Sequence, residues 1–182
     1  MKIPGLLNQL PFSRQLESRW QRLYRLAYAW CHDTHLSADL VQESMVKALK
    51  NRHQLKDVEA FDGWLFRILS NTWRDYCRQS KDLLNIENID LAHEAGPESE
   101  IEHLEVVIRV KKAIARLNQD QRQIVTLIDL EDLSYNEVAQ ILEIPIGTVM
   151  SRLCRARKIL KQYLHDTDVL VNKSNARIRR VK

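Results

Sequence analysis

Residues 134–158, SYNEVAQILEIPIGTVMSRLCRARK, decide the fold of the second half of the chain. Ser134 is followed three residues later by Glu137, which is the pattern of a capping box and predicts that a helix begins here. Pro145 ends that helix and suits the first turn of another, because a first turn needs no backbone N–H at that position. The stretch therefore predicts two short helices joined by a tight turn, as in a helix-turn-helix.

The second of these helices has two different faces. Val149, Leu153 and Ala156 recur at helical spacing and are predicted to be buried. A one-sign cluster of cations with hydroxyl groups favours a polyanionic partner, DNA above all. An ordinary surface pair of helices with a solvated basic face is the alternative. The polar face comprises Thr148, Met150, Ser151, Arg152, Arg155, Arg157 and Lys158.

The amino-acid sequence of this helix resembles that of a known protein family. Residues 146–157, IGTVMSRLCRAR, resemble region 4 of bacterial sigma factors, above all the extracytoplasmic-function (ECF) group, in which a G-T-V-x-S-R-L-x-R-A-R run opens the recognition helix. The resemblance implies that the polar face binds the upstream promoter element. The residues assigned to that contact are Thr148, Met150, Ser151, Arg152, Arg155 and Lys158. It also predicts a second, earlier module.

Composition and charge predict how the chain is divided. The 182 residues, 45% of them hydrophobic, allow one medium domain or two small ones, and only four Gly and four Pro favour an all-α fold. Lys and Arg outnumber Asp and Glu by twelve to eight in residues 1–80 and by ten to two in 146–182, whereas 81–105 hold one Lys and eight acids. We therefore predict two small helical domains, 1–80 and 106–164, joined by a flexible acidic linker, 81–105, with a disordered basic tail, 165–182.

In the first half of the chain, apolar residues that recur at helical spacing predict three helices. One is predicted near residues 17–30, a second is capped by Ser37, and a third spans about residues 60–79. The second should bury Leu40, Val41, Met45, Ala48 and Leu49.

One face of the third helix combines an aromatic ring with cations. Trp64, Arg67, Asn71 and Arg74 lie along one side, where a ring stacks on unpaired bases and cations neutralise phosphates. The alternative is that Trp64 and Trp73 are core aromatic residues of an amphipathic helix.

Two runs in this half resemble sigma region 2. Residues 37–43, SADLVQE, are similar to its A-x-D-L-V-Q-E run, and the helix from Trp64 resembles its W-L-x-x-I-x-x-N-x-x-x-D-x-x-R helix. In the family, the first run docks on the clamp helices of RNA polymerase, and the second helix with its preceding loop captures the melted strand of the downstream promoter element. The resemblance assigns polymerase binding to Asp39, Leu40, Gln42 and Glu43, and downstream DNA binding to Arg52, Trp64, Arg67, Asn71 and Arg74.

Catalytic and metal-binding patterns are not evident in the sequence. Three distant cysteines and six scattered histidines share no ligand spacing, and no Gly-rich phosphate loop occurs. We expect no enzymatic activity, no cofactor and no metal ion. A signal peptide or an apolar run of membrane-spanning length is also not evident, so a cytoplasmic protein without membrane insertion is expected.

The resulting prediction is an ECF sigma factor that binds core RNA polymerase and directs promoter-specific initiation. Its expected partners are core RNA polymerase, promoter DNA and an anti-sigma factor. Two other classes compete: a dimeric helix-turn-helix regulator that binds duplex operators without polymerase, and a small DNA invertase or resolvase. The first requires a sensing or dimerising domain in residues 1–80, and the second requires an α/β catalytic domain there.

Overall fold

The computed structural model describes residues 11–55, 57, 59–80 and 109–178, with side chains described as far as Leu164 in the last helix. Within these ranges the chain is helical and contains no strand, which confirms the all-α prediction. No helix in these ranges is long and apolar enough to cross a membrane. The helices are α1 (Phe12–Glu17), α2 (Trp20–Cys31), α3 (Thr34–Lys50), a 3-10 turn (Arg52–Gln54), α4 (Phe61–Ser80), α5 (109–115), α6 (Gln119–Asp129), α7 (Tyr135–Leu142) and α8 (Ile146–Ile178).

The start of α3 differs from the prediction. Asp33, not Ser37, is the N-cap, and its carboxylate accepts a hydrogen bond of 2.7 Å from the Leu36 N–H. Ser37 is buried one turn later and donates its hydroxyl proton to the Asp33 carbonyl. The chain reaches this cap through His32, whose φ of 56° lies in the left-handed region and ends α2. Sequence reasoning placed the cap one turn too late because serine and aspartate are both good caps.

Both helices of the predicted helix-turn-helix form as expected. Ser134 and Glu137 make the reciprocal bonds of a capping box at the start of α7, and Asn118 with Gln121 does the same for α6. Glu143, with φ 56°, ends α7, and α8 begins at Ile146. The backbone of α8 continues to Ile178, so a helix occupies most of the segment that was expected to be a disordered tail. No Gly or Pro follows Gly147, and nothing in the sequence therefore breaks this helix.

The helices form two groups, and each group buries apolar residues between its helices. In the N-terminal group, α2, α3 and α4 pack together around Leu23, Trp30, Val41 and Leu65. The predicted buried side of α3 is correct for Leu40, Val41 and Ala48 and wrong for Leu49, which is 46% exposed because it faces away from α2 and α4. In the C-terminal group, α6, α7 and α8 pack together, and their buried apolar side chains include Ile124, Leu127, Val138, Val149 and Leu153.

The two groups lie directly against each other. Helix α2 contacts α6, and α4 contacts α7, so the buried residues of both groups form one continuous cluster. We call this contact the interdomain interface. The domain limits at 80, 105 and 164 stay predictions, because 1–10, 81–108 and 179–182 lie outside the described residues.

Candidate nucleic-acid interface

The first turns of α8 present the predicted polar face to solvent. Val149, Leu153 and Ala156 are buried against α6 and α7, as their spacing predicted. The opposite side carries Met150, which is 51% exposed, and the exposed side chains Ser151, Arg155 and Lys158. Thr148 is half-buried, and its carbonyl accepts a 3.1 Å hydrogen bond from Ser151. We call Met150, Ser151, Arg155 and Lys158 the upstream face.

Arg152 has an intramolecular partner that the sequence did not indicate. Its Nη1 lies 3.0 Å from a carboxylate oxygen of Asp120, in the first turn of α6, and its side chain is 34% exposed. A similar pair joins Arg157 to Asp129 at 2.5 Å. Arg152 is thus held against its own domain, whereas the structure records no ion pair for Arg155 among the described residues.

Cys154 was missed as a member of this surface. It is exposed and lies three and four residues from Ser151 and Met150, which places it on the same side of the helix. The sequence predicted reduced, partly buried thiols at the three cysteines, which is correct for Cys31 and Cys77 and wrong for the exposed Cys154. The helical spacing alone would have identified the position.

The predicted DNA-binding side of α4 is partly exposed. Arg74 donates a 2.7 Å hydrogen bond to the Asn71 side chain, so these two residues support each other on the surface. Trp64 is half-buried, and its ring lies 6.3 Å, between centroids, from that of Phe12 and also from that of Phe61. One edge of Trp64 therefore belongs to a small aromatic cluster. We call Trp64, Arg67, Asn71 and Arg74 the downstream face.

Trp73 differs from Trp64. It is only 8% exposed and stacks on Tyr76 with centroids 5.8 Å apart. The alternative that this tryptophan is a core residue is therefore correct.

Two other residues of the predicted downstream site lie apart from one another. Arg52 is exposed in the 3-10 turn that follows α3. Arg67 reaches across to the C-terminal group and forms an ion pair with Glu143, the residue that ends α7. Arg67 thus lies on the downstream face and also in the interdomain interface.

The predicted polymerase-binding residues are on α3. Asp39, Gln42 and Glu43 are exposed on one side, and Glu43 forms an ion pair of 2.8 Å with Lys47. Leu40 is only 2% exposed and packs in the core, so it supports α3 and presents no surface to a partner in this structure. Leu49, described above, extends the exposed side with apolar area.

A buried polar cluster lies where α2 meets α6. The Trp30 indole N–H donates a 2.7 Å hydrogen bond to the Thr126 hydroxyl, and the Arg122 guanidinium donates to the Trp30 carbonyl. Burial lowers the pKa of Arg122. Burial, followed by the charges of Arg122 and Lys111, lowers the pKa of His32 to about 4, so the imidazole is neutral near pH 7.

Nearer the start of α2, Arg22 forms a second polar network. Arg22 donates to both Asp62 and Glu131 and lies over the Phe66 ring, with its guanidinium carbon 4.9 Å from the centroid. Burial opposes the charge, but the hydrogen bond to Glu131 and the two carboxylates raise the pKa of Arg22. The described part of the chain holds no group of His, Cys, Asp and Glu side chains arranged to bind a metal ion.

Comparison with known proteins agrees with this arrangement. Residues 17–82 match the sigma-70 region 2 family, and residues 108–160 match sigma-70 region 4. The chain is 35% identical over 135 residues to the ECF RNA polymerase sigma-E factor of Haemophilus influenzae, an alignment that covers 68% of this chain and 71% of the relative. The chain belongs to the ECF RNA polymerase sigma factors.

Other ECF sigma factors show the same likeness. This sigma factor is 28% identical over 157 residues to SigW of Bacillus subtilis, covering 80% of this chain and 84% of the relative. It is similar to the sigma factor RpoE from Bartonella quintana, solved in complex with the anti-sigma factor NepR, with a TM-score of 0.69, 29% identity and coverage of 85% and 96% of the two chains. CnrH, solved with the cytosolic domain of CnrY, shares the fold, with a TM-score of 0.58 and 24% identity. The chain is therefore a promoter-directing sigma factor that acts in transcription initiation.

Proposed function

We propose that this sigma factor binds its two promoter elements with two different surfaces, duplex DNA with the upstream face and melted DNA with the downstream face. The observation that supports this proposal most directly is the exposed side of α8 near its N-terminal end, where the upstream face lies. It presents Met150, Ser151, Arg155 and Lys158 together. A B-DNA major groove admits one α-helix, and arginine, serine and methionine can bind base edges and thymine methyl groups there. Arg155 and Lys158 supply cations for the phosphates.

The downstream face supports a different contact. An aromatic ring stacks on any base that is unstacked and accessible, and the exposed edge of Trp64 lies beside the cations of α4. Arg52, from the turn before α4, supplies a further cation. We propose that this side of the domain binds melted, single-stranded DNA.

We further propose that core RNA polymerase docks on α3. The exposed Asp39, Gln42 and Glu43 lie on one side of this helix, and Val46 and Leu49 add exposed apolar area on the same helix. An apolar patch with polar groups around it is typical of a protein interface. Leu40 is buried and packs in the core, so we propose that it holds α3 in place and does not contact polymerase.

An anti-sigma factor is the second proposed protein partner. The relative from Bartonella quintana was solved with one. In this chain, a groove of about 420 Å³ runs between α2 and α5. Aromatic and apolar residues, among them Tyr24, Tyr28 and Ile114, line this groove together with the cations Arg25 and Lys111. Such a groove suits an amphipathic helix with acidic residues beside its apolar side.

This sigma factor is proposed to act without enzymatic activity and in the cytoplasm. The family is one of initiation factors, and polymerase supplies the chemistry of transcription. The cytoplasmic location is supported by the similarity to ECF sigma factors, because these proteins work with RNA polymerase in the cytoplasm.

A pull-down with core polymerase, followed by transcription from candidate promoters, tests the proposed function. A sigma factor associates with core polymerase and makes initiation depend on the promoter. A duplex-binding regulator would retain DNA binding without polymerase association, and a recombinase would rejoin DNA strands. Either result would contradict the proposal.

A further inference from the structure

The cations in the first turns of α8 lie on different sides of the helix. Arg155 and Lys158 lie on the upstream face, opposite the buried side of the helix. Successive residues of an α-helix are about 100° apart around its axis, so Arg152 and Arg157 lie on opposite flanks, between the buried side and the upstream face. We call Arg152 and Arg157 the flanking arginines.

Each flanking arginine is paired with an acid of α6. The Arg152 Nη1 atom lies 3.0 Å from a carboxylate oxygen of Asp120. The Arg157 Nη2 atom lies 2.5 Å from one carboxylate oxygen of Asp129, and its Nε atom lies 3.4 Å from the other. All four side chains are between 34% and 50% exposed, so an external anion reaches either arginine once its ion pair is broken.

The stability of α6 does not explain both of these acids. Asp120 lies in the first turn of α6, where the free backbone N–H groups favour a negative charge. Asp129 is the last residue of α6, where the free carbonyl groups disfavour one. An exposed ion pair also adds little to the free energy of unfolding. The position of Asp129 therefore has a reason outside its own helix, and its bond to Arg157 supplies one.

The flanks of a recognition helix are the sides that lie nearest to the sugar-phosphate backbones. A helix in the major groove lies between two backbones, so its outer face meets base edges and its flanks meet phosphates. Phosphate contacts raise the affinity for every duplex, whereas base contacts distinguish one sequence from another. A carboxylate bound to a flanking arginine competes with a phosphate, because both anions accept hydrogen bonds from the same guanidinium.

We propose that Asp120 and Asp129 restrict sequence-independent DNA binding: they hold Arg152 and Arg157 away from the phosphates, so that the affinity for duplex DNA depends on the upstream face. This inference rests on the proposed function, in which the upstream face binds duplex DNA. Specificity comes from weakening the binding of wrong partners as well as from strengthening that of the right one. The two acids are thus specificity-determining residues that contact no base themselves.

Salt dependence measures how many phosphates the chain neutralises. The logarithm of the binding constant falls with the logarithm of the salt concentration, with a slope of about −0.9 for each phosphate. Asp120→Asn keeps the side-chain shape, removes the charge and releases Arg152, so we expect the slope to steepen by about 0.9. Asp129→Asn should have the same effect through Arg157. At about 50 mM salt, one added phosphate contact should tighten binding by about five- to fifteenfold.

The experiment uses the full chain and a short fluorescein-labelled duplex of random sequence, with fluorescence anisotropy at several KCl concentrations. Each acid variant is measured alone and again in a chain that carries Arg152→Ala or Arg157→Ala, whichever removes its partner. Glu17→Gln is the matched control, because it removes one negative charge from an exposed position on α1, in the other group of helices. We expect a steeper slope and tighter binding for both acid variants, neither effect once the paired arginine is removed, and wild-type behaviour for Glu17→Gln.

Three results would overturn the inference. An unchanged slope in either acid variant would mean that its arginine stays away from phosphates without the carboxylate. Equal tightening with and without the paired arginine would mean that the carboxylate only repels DNA directly. Equal tightening by Glu17→Gln would mean that net charge alone determines the affinity.

A transcription assay with holoenzyme separates this inference from the proposed function. If the acid variants bind random duplex as the wild type does while the wild-type chain still directs promoter-dependent transcription, the inference fails and the sigma-factor function stands. If the wild-type chain neither binds core polymerase nor supports such transcription, the proposed function itself fails. Urea unfolding shows that each variant, a surface change, is folded under the conditions of the assay.

Discussion

Replacing Trp64 with alanine should separate promoter melting from promoter recruitment. The ring is half-buried, with one edge against Phe12 and Phe61, so its exposed edge is free to stack on a base. Stacking of one base on an aromatic ring is worth about 1–3 kcal/mol, which corresponds to about a 5- to 150-fold loss of binding to melted DNA. Duplex binding and holoenzyme assembly should stay near the wild-type level, because neither uses this ring.

The same substitution has a cost in folding that must be kept apart from the loss of DNA binding. A fully buried aromatic residue replaced by alanine loses about 3–5 kcal/mol. Trp64 is only half-buried, so about half of that loss is expected. A domain with an ordinary stability of about 5–15 kcal/mol stays folded after such a change. Thermal unfolding followed by circular dichroism checks this point.

Permanganate footprinting of holoenzyme on duplex and on pre-melted templates measures the effect of Trp64→Ala, because permanganate modifies unpaired thymines. We expect fewer modified thymines on the duplex template and partial recovery on the pre-melted one. Trp73→Phe is the control: Trp73 is in the core and stacks on Tyr76, so this change should lower stability and leave the footprint unchanged. Equal losses on both templates by a folded Trp64→Ala protein would refute the reasoning.

Three other predictions use different parts of the chain. Asp39→Arg combined with Gln42→Ala should abolish association with core polymerase in a pull-down while leaving the circular-dichroism spectrum unchanged, because both side chains are exposed on α3; near-normal association would contradict the docking surface. Arg155→Ala should cost about 1–3 kcal/mol of upstream-element binding in a gel-shift titration, whereas Arg152→Ala, whose side chain is already paired, should cost about 1 kcal/mol or less; the opposite order would show that Arg152 leaves its partner to bind DNA. Folding lowers the pKa of His32 from 6.5 to about 4. Between pH 6.5 and pH 4 the unfolded chain therefore binds a proton at His32 that the folded chain does not bind. The free energy of unfolding is thus retained above pH 6.5 and falls as the pH falls towards 4. Urea titrations should show a loss of about 2 kcal/mol between about pH 7 and about pH 5, which His32→Asn removes; an equal loss in that variant would exclude His32 as the cause.

Features that depend on neighbouring residues were predicted well from the sequence. The capping box of Ser134 and Glu137, the turn before Pro145 and the buried spacing of Val149 and Leu153 all act within one or two helical turns. Local hydrogen bonds and side-chain periodicity determine such features, and both are visible in the order of residues. The errors at Ser37 and Leu49 have the same origin, because a local pattern there permits two solutions and packing selects one.

Features that join distant residues could not be predicted in this way. The partners Trp30 and Thr126 are 96 positions apart, and Arg67 and Glu143 are 76 apart. Their contact depends on how two whole groups of helices pack, and neither residue type nor spacing specifies that. The pairing of Arg152 with Asp120 belongs to the same class. The candidate DNA-binding residues were thus identified from the sequence, but the partners that already hold some of them were not.

The bond between Trp30 and Thr126 also has a consequence for how the protein is made. Forty-six residues separate Ser80, the end of α4, from Thr126, so the first domain leaves the ribosome before its partner exists. At about 5–20 residues per second, this interval lasts about 2–9 s, which is longer than a small helical domain needs to fold. During these seconds α4 and Trp30 of the nascent chain are exposed to solvent, because the α6 and α7 residues that contact them have not yet been added. Each newly synthesised molecule therefore passes through a stage in which the first domain can fold while its side of the interdomain interface is still exposed to solvent.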